Sequence, residues 1–387
     1  MFIYWAMMLS IVGMYTMYLT HLGFSKQEIS TVVTLYTLSS LLGQIFIGYV
    51  VDKFGHIRRM MFTFVGVGLI VGGLITFSTT HWIIYLLLCV WGFCVAGTIP
   101  LSEAWIINTL SSYNEQRNFG KIRGFGSIGY GLSGVLIGGL LQTFGWGVYP
   151  WYIMSSVIIT LVIVFFMTMP KASKEKGRQD NLHKSKSNVS FKEGLVEIFK
   201  IKPLFVMIGI VFMYFFAVKG VYSYLGVLLS DFGGGPLSLG FTYFFDASPE
   251  IITFFLSARL LKRYKTKNLI LVGVMLQIVR FVVIIIFKNA LAVILMGTLS
   301  GFAFGLVATS YKTYIYELAP EKYKTSCMSI CETIIGLSGI ISAPIFGIMF
   351  TKLGTTTTMI VGLSIYILLM FALLGEALAS RKKTSRA

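Results

Sequence analysis

The side chains of this sequence best able to do chemistry are charges set inside long apolar runs: Glu103, Arg123, Lys219, Asp246, Glu250, Arg280, Lys312 and Glu332. An unpaired charge in hydrocarbon is expensive, so a charge that persists there faces a partner or a wet cavity. Glu103 lies about seven residues from the end of its run, roughly 10 Å along a helix, and Arg123 lies a turn inside the next run. Similar depth on adjacent helices predicts a pair. In the segment Phe119-Gly120-Lys121-Ile122-Arg123-Gly124-Phe125-Gly126-Ser127-Ile128-Gly129-Tyr130, positions 123, 126, 127 and 130 share one helical face. A cation and an aromatic ring thus flank a gap of small residues. Such a floor suits a hydroxylated or anionic solute, held by guanidinium hydrogen bonds and stacked on the Tyr130 ring. A purely structural ion pair in a glycine-packed helix is the other reading of the same residues.

Arg280 stands about eleven residues into its run, near the middle, and requires a counter-charge. Asp246 and Glu250, a helical turn apart, fall at matching depth. The expected division is Asp246 as the partner of Arg280 and Glu250 as a proton carrier. Lys312 and Glu332 share a depth and are expected to form a structural pair, while Lys219 has no partner the sequence names. Cys89, Cys94, Cys327 and Cys331 lie in apolar runs without a neighbouring His, so packed thiols and no metal site are expected. No phosphate-binding Gly-Lys-Ser/Thr loop, zinc-ligand set or nucleophile elbow appears, so ATP-driven transport and hydrolytic catalysis lack support, and no cofactor is expected.

The elements that must position these charges follow from composition. Of 387 residues, 56% are hydrophobic and only 12% are charged, against about 25% charged in soluble domains. A membrane span needs roughly 20 apolar residues, and twelve runs qualify: 2–20, 28–50, 60–79, 82–110, 120–142, 148–169, 203–229, 237–258, 268–287, 290–316, 326–351 and 355–378. The first begins at Phe2 with no basic region ahead and no small-residue cleavage site behind, which predicts a retained span. The fold class is therefore an all-α polytopic membrane protein. The net charge of +17 raises nucleic acid as a partner, but the placement of the basic residues answers for membrane topology instead. Loops on one face hold 26 of the 32 Lys and Arg residues, against Lys26, Lys288 and Lys352 on the other. The crowded face is cytoplasmic by the positive-inside rule, and an even count puts both termini there.

Residues 170–202 form one long basic segment, too polar to be embedded, which reads as a cytoplasmic linker between residues 1–169 and 203–387. Within it Ser190 and Glu193 have capping-box spacing ahead of Phe191, Leu195 and Phe199 on one face, predicting a short interfacial helix. Landmarks near 52, 120 and 148 recur at an offset of about 207 residues. A parallel repeat of this kind predicts two six-helix bundles around a shared cavity, the arrangement that alternating access uses.

One loop adds a sharper signal. Gly48-Tyr49-Val50-Val51-Asp52-Lys53-Phe54-Gly55-His56-Ile57-Arg58-Arg59 offers Gly48 for close helix approach, Gly55 for a turn, and Asp52 to pair with cations near a helix end. It resembles the signature loop of the major facilitator superfamily, in which Gly48, Asp52, Gly55, Arg58 and Arg59 would form a cytoplasmic latch. A basic turn obeying positive-inside explains Arg58 and Arg59 but not the Asp and two Gly. The counterpart at 258–267 keeps the basic residues and lacks the Asp and Gly. Pro100-Leu101-Ser102-Glu103-Ala104-Trp105, with Phe119 to Arg123 and Gly129-Tyr130, is similar to the lactose permease and phenylpropionate permease branch. That resemblance implies solute contact by Glu103, Arg123 and Tyr130. Lys312 matches that branch's Lys, but Ile315 stands at its His position and Glu317 lies near, not at, its Glu, so its proton relay does not transfer intact.

Together these features imply a secondary transporter of the cell membrane, a proton-coupled symporter of a sugar or small organic solute. Its partners would be the solute, protons and lipid, with a monomer as the expected state. The alternatives are a proton-antiporting exporter of drugs or metabolites, which the aromatic-rich spans allow, and a non-transporting receptor of the same fold. An enzyme is not expected, for want of a nucleophile and base.

Overall fold

A computed structural model describes residues 1–54, 56–78, 80–113, 115, 119–167, 201–319 and 324–384. Its long elements are helices: α1 (Phe2–Val12), α2 (Tyr15–His21), α3 (Lys26–Phe54), α4 (Ile57–Phe77), α5 (His81–Cys94), α6 (Ile99–Ser112), α7 (Phe119–Phe144) and α8 (Tyr149–Phe166), then α9 (Lys202–Tyr222), α10 (Leu225–Asp231), α11 (Pro236–Arg263), α12 (Thr266–Phe287), α13 (Ala290–Leu318), α14 (Lys324–Lys352) and α15 (Gly354–Thr384). Among the described residues, 11 helical stretches are long and apolar enough to cross a membrane, with α1–α2 and α5–α6 each counting as one. The remaining expected run, 237–258, is helical as part of α11. That helix is 28 residues long but carries Asp246, Glu250 and three basic residues, so it is too polar to join the 11. The linker helix expected around Ser190 and Glu193 lies outside the described residues.

Large apolar side chains cover the exterior. Phe77, Trp82, Leu86, Phe144, Trp151, Phe166 and Leu368 are each more than 60% exposed, and a soluble monomer rarely shows such continuous apolar surface. The protein is a multi-pass, all-α membrane protein.

The chain folds as two compact units: residues 1–188 with 233–244, and residues 189–232 with 245–387. In the first unit Trp91 and Tyr149 are fully buried, and the Tyr149 hydroxyl donates to the Ser10 carbonyl at 2.7 Å. In the second, Tyr214, Phe281, Phe346 and Tyr366 fill the interior, and the Tyr224 hydroxyl donates to the Ala343 carbonyl at 2.7 Å. Each unit thus buries large aromatic bodies and gives one tyrosine hydroxyl a backbone acceptor.

The internal repeat is visible in the breaks. The first span of each unit is interrupted, at Gly13–Met14 between α1 and α2 and at Ser223–Tyr224 between α9 and α10. The short second piece then ends on a left-handed glycine, Gly23 (φ 82°) or Gly233 (φ 75°), a conformation other residues adopt only under strain. Only the first unit breaks its fourth span, through a 3-10 turn at Ala96–Thr98. Pro100 then starts α6, where its missing N–H costs nothing. Close crossings follow the glycines. Within the first unit, a Cβ on Gly138 would meet the Pro236 carbonyl at 2.6 Å, and one on Gly134 would meet that of Gly240 at 3.0 Å.

Candidate functional site

The broken fourth span and the glycine-rich face of α7 bring one polar cluster together in the first unit. Glu103 on α6 accepts from Arg123 Nε on α7 at 3.2 Å, with side chains 37% and 25% exposed. Arg123 Nη1 reaches Ser127 Oγ at 3.5 Å, one turn along the same face. The guanidinium carbon lies 4.4 Å from the centre of the Trp5 ring, a cation–π contact. Trp5 can come this close because Gly126 offers no side chain: a Cβ there would be 2.5 Å from Trp5 Cδ1. Tyr130 meets Trp5 edge-on at 6.1 Å and Tyr243 at 5.4 Å.

The walls are aromatic with polar tips. Tyr4 shares a hydrogen bond with Thr98 Oγ1 at 2.9 Å, which the 3-10 turn places. Tyr36 lies within electrostatic range of Tyr4 and Tyr130 and stacks on Tyr15 at 5.2 Å. Trp5 Nε1 and the Tyr36 hydroxyl are buried with no hydrogen-bond partner among the described residues. Orphan donors beside a half-open ion pair are groups that a hydroxylated solute or water would satisfy.

The second unit holds a different arrangement. Arg280 on α12 is 4% exposed, and its Nη1 donates to Ser300 Oγ on α13 at 2.9 Å and to Gln277 Oε1 at 3.3 Å. Gln277 in turn donates to the Tyr214 hydroxyl at 3.4 Å. Asp246 lies within electrostatic range of Arg280 and hydrogen-bonding range of Ser300, and no ion pair within 4.0 Å joins it to Arg280 among the described residues. Ser300 and Gln277 take the near positions on Arg280, and Asp246 Oδ1 and Arg280 Nε have no hydrogen-bond partner among the described residues. Glu250 sits one turn from Asp246 with Pro249 between them. Gly301 of α13 presses on this turn: a Cβ there would collide with the Asp246 carbonyl and lie 3.3 Å from Glu250 N.

Lys312 and Glu332 pair at 3.1 Å, and Tyr311 donates to the same carboxylate at 2.9 Å. Lys219, for which the sequence named no partner, donates to the Ile335 carbonyl at 2.6 Å and packs where Gly339 leaves room.

With this geometry in place, comparison with known sequences decides the family. A model described as "MFS_1 like family" matches residues 1–361. The chain belongs to the MFS_1 like family. Its fold is that of solved transporters, and the curated relative it matches is a permease. It is 18% identical over 239 residues to a maltose permease of Geobacillus stearothermophilus; the match covers 62% of this chain and 57% of that permease, so it spans little more than half of that relative. The fold matches a crystal structure of the nucleoside transporter NupG with TM-score 0.77 at 16% identity, over 97% of this chain and 96% of that one. A crystal structure of a mutant NupG gives TM-score 0.78 at 17% identity over 97% of both chains. The fold also matches an auto-inhibited POT family peptide transporter, with TM-score 0.70 at 11% identity, over 98% of this chain and 95% of that one.

In this MFS_1 like protein the 48–59 loop is described in part. Arg58 donates from Nη2 to the Phe165 carbonyl and lies 5.6 Å from that ring's centre, and Arg59 is exposed. The Asp52 side chain and Gly55 lie outside the described residues. At Gly48 a Cβ would meet nothing within 4 Å among the described residues. The close approach is one and a half turns earlier, at Gly43, where a Cβ would collide with the Phe93 carbonyl. Likewise Gly339 is a contact point in α14, but Gly336 is not.

Sequence reasoning missed Trp5, Tyr36 and Thr98 in the first cluster, and Gln277 and Ser300 in the second. A Trp near the start of an apolar run reads as an interface anchor. Neutral polar residues inside a span carry no signal as strong as a charge.

Proposed function

We propose that this transporter is a proton-coupled symporter that imports a sugar or another small polyhydroxylated solute by alternating access. In this reading it has twelve spans in two six-helix halves, both termini cytoplasmic, and works as a monomer. The observation that carries the reading is the Glu103–Arg123 pair at 3.2 Å with Trp5 on the guanidinium and Tyr130 beside it. A carboxylate and a guanidinium offer acceptors and donors to adjacent hydroxyls, and the indole and phenol faces suit the apolar face of a sugar ring. The resemblance to the lactose permease branch, and the maltose permease relative, support the same class.

Asp246, Glu250 and Arg280 form the coupling group in this scheme. Protonation of one acid alters the balance around a buried guanidinium and so links a proton to the conformational cycle. Gly48, Asp52, Gly55, Arg58 and Arg59 latch the cytoplasmic side. A nucleoside is the second solute class to test, because the tyrosines around Trp5 would stack a base and the NupG structures share the fold.

The test is a thermal-stability screen of the purified protein against hexoses, disaccharides and nucleosides, since a solute that binds only the folded state raises its melting temperature. The proposal expects a sugar or nucleoside to stabilise the wild type, and expects Glu103→Gln and Trp5→Ala to abolish that shift. Stabilisation that both variants retain would place the solute elsewhere.

A further inference from the structure

In the second unit lies a groove of about 340 Å³ between α11, α12 and α13. Ile252 and Leu256 of α11, Val272 of α12 and Phe302 of α13 line it, and Tyr264 and Asn268 stand at one end. Its lining is mostly aliphatic and aromatic, and the Thr253 hydroxyl is engaged by the Pro249 carbonyl at 2.8 Å. Its floor exists because Gly305 lets α13 lie against Thr253, where a Cβ would be 2.7 Å away. Ile252, Leu256 and Val272 remain 51%, 39% and 45% exposed. The groove is therefore a slot in the surface and not a packed seam.

Its direction and its charged end narrow the occupant. Ile252 is about eleven residues before the end of α11, so the slot runs roughly 16 Å along the helices from the α11–α12 turn. That is the course of a lipid tail entering from a headgroup layer. The turn carries Arg259, Lys262, Arg263, Lys265 and Lys267 with no acidic residue from 251 to 268. Arg259, Lys262, Arg263 and Lys265 are exposed, and Arg263 leans on the Tyr264 ring at 5.7 Å. Cations above an apolar slot match one ligand class: a lipid with an anionic headgroup and an acyl chain.

We propose that this groove is a specific site for one anionic phospholipid, its acyl chain lying over Leu256, Val272 and Phe302 and its phosphate held by Lys262, Arg263 and Lys265. The site is separate from the solute cluster and stands whether or not the solute reading is right.

Native mass spectrometry of the full-length protein, mixed with phosphatidylglycerol or with phosphatidylcholine of the same acyl chains, tests it. The expected result is one tightly retained phosphatidylglycerol per chain and no such retention of phosphatidylcholine. A triple variant K262Q/R263Q/K265Q should reduce that retention at least about tenfold, since each surface cation contributes on the order of 1 kcal/mol toward an anionic lipid. Leu256→Trp, which fills the slot and leaves every charge in place, should reduce it as well. Equal retention of the two lipids, or undiminished retention by the triple variant, overturns the headgroup assignment. Undiminished retention by Leu256→Trp overturns the groove.

Discussion

Replacing Glu103 by Gln keeps the shape of the side chain and removes one charge from the first-unit cluster. At 3.2 Å and an effective dielectric near 20, the gross attraction to Arg123 is about 5 kcal/mol. Both side chains are partly open, 37% and 25% exposed, so dehydration and screening cancel most of that, leaving about 1 kcal/mol toward folding. Arg123 keeps Trp5 and Ser127 in the variant, so the melting temperature should fall by only about 1 °C. The effect on solute should be larger. A charge-assisted hydrogen bond to a solute hydroxyl contributes about 1.5–3 kcal/mol, so KM for uptake should rise about 10-fold to 150-fold. The assay is uptake into proteoliposomes alongside thermal unfolding of the same preparation. Unchanged uptake would refute the pocket, and so would uptake that falls only in proportion to folded protein, since that is the behaviour of a structural pair.

Ser300→Ala removes the 2.9 Å acceptor of buried Arg280 and should destabilise the protein by about 1.5–3 kcal/mol, read as a lower melting temperature, while Ser300→Thr should recover most of it. Gly301→Val places a Cβ against the Asp246 carbonyl, so folded yield or uptake should drop sharply; a variant with wild-type melting and uptake would contradict the close crossing of α11 and α13. A double-mutant cycle on Lys312 and Glu332, whose side chains are 51% and 47% exposed, should give a coupling below about 1 kcal/mol. That coupling should shrink further in high salt.

The membrane class was legible because apolar runs of span length are a compositional property that no tertiary detail overrides. The polar α11 shows the limit of that signal: its Asp246, Glu250 and basic end lower its apolarity although it is as long as its neighbours. The Glu103–Arg123 pair was legible because depth along a helix is set by 1.5 Å per residue and both residues face helical neighbours at the same level. Arg280 was harder. Depth alone offered Asp246 as its partner, but which acceptor wins depends on how α12 and α13 rotate about their axes, and that placed Ser300 within reach. Glycine spacing is ambiguous for a related reason. A glycine permits close approach without requiring it, and the neighbouring chain comes in at Gly43 instead. The helix breaks at Gly13 and Ser223 carry no proline to announce them.

The central claim is movement of a solute coupled to protons, and uptake into proteoliposomes under an imposed pH gradient tests it most directly. With the outside acidic, the wild type should accumulate the stabilising solute above equilibrium, and a protonophore should abolish the accumulation. Accumulation that ignores the gradient would contradict the coupling, and binding without any counterflow would contradict transport itself.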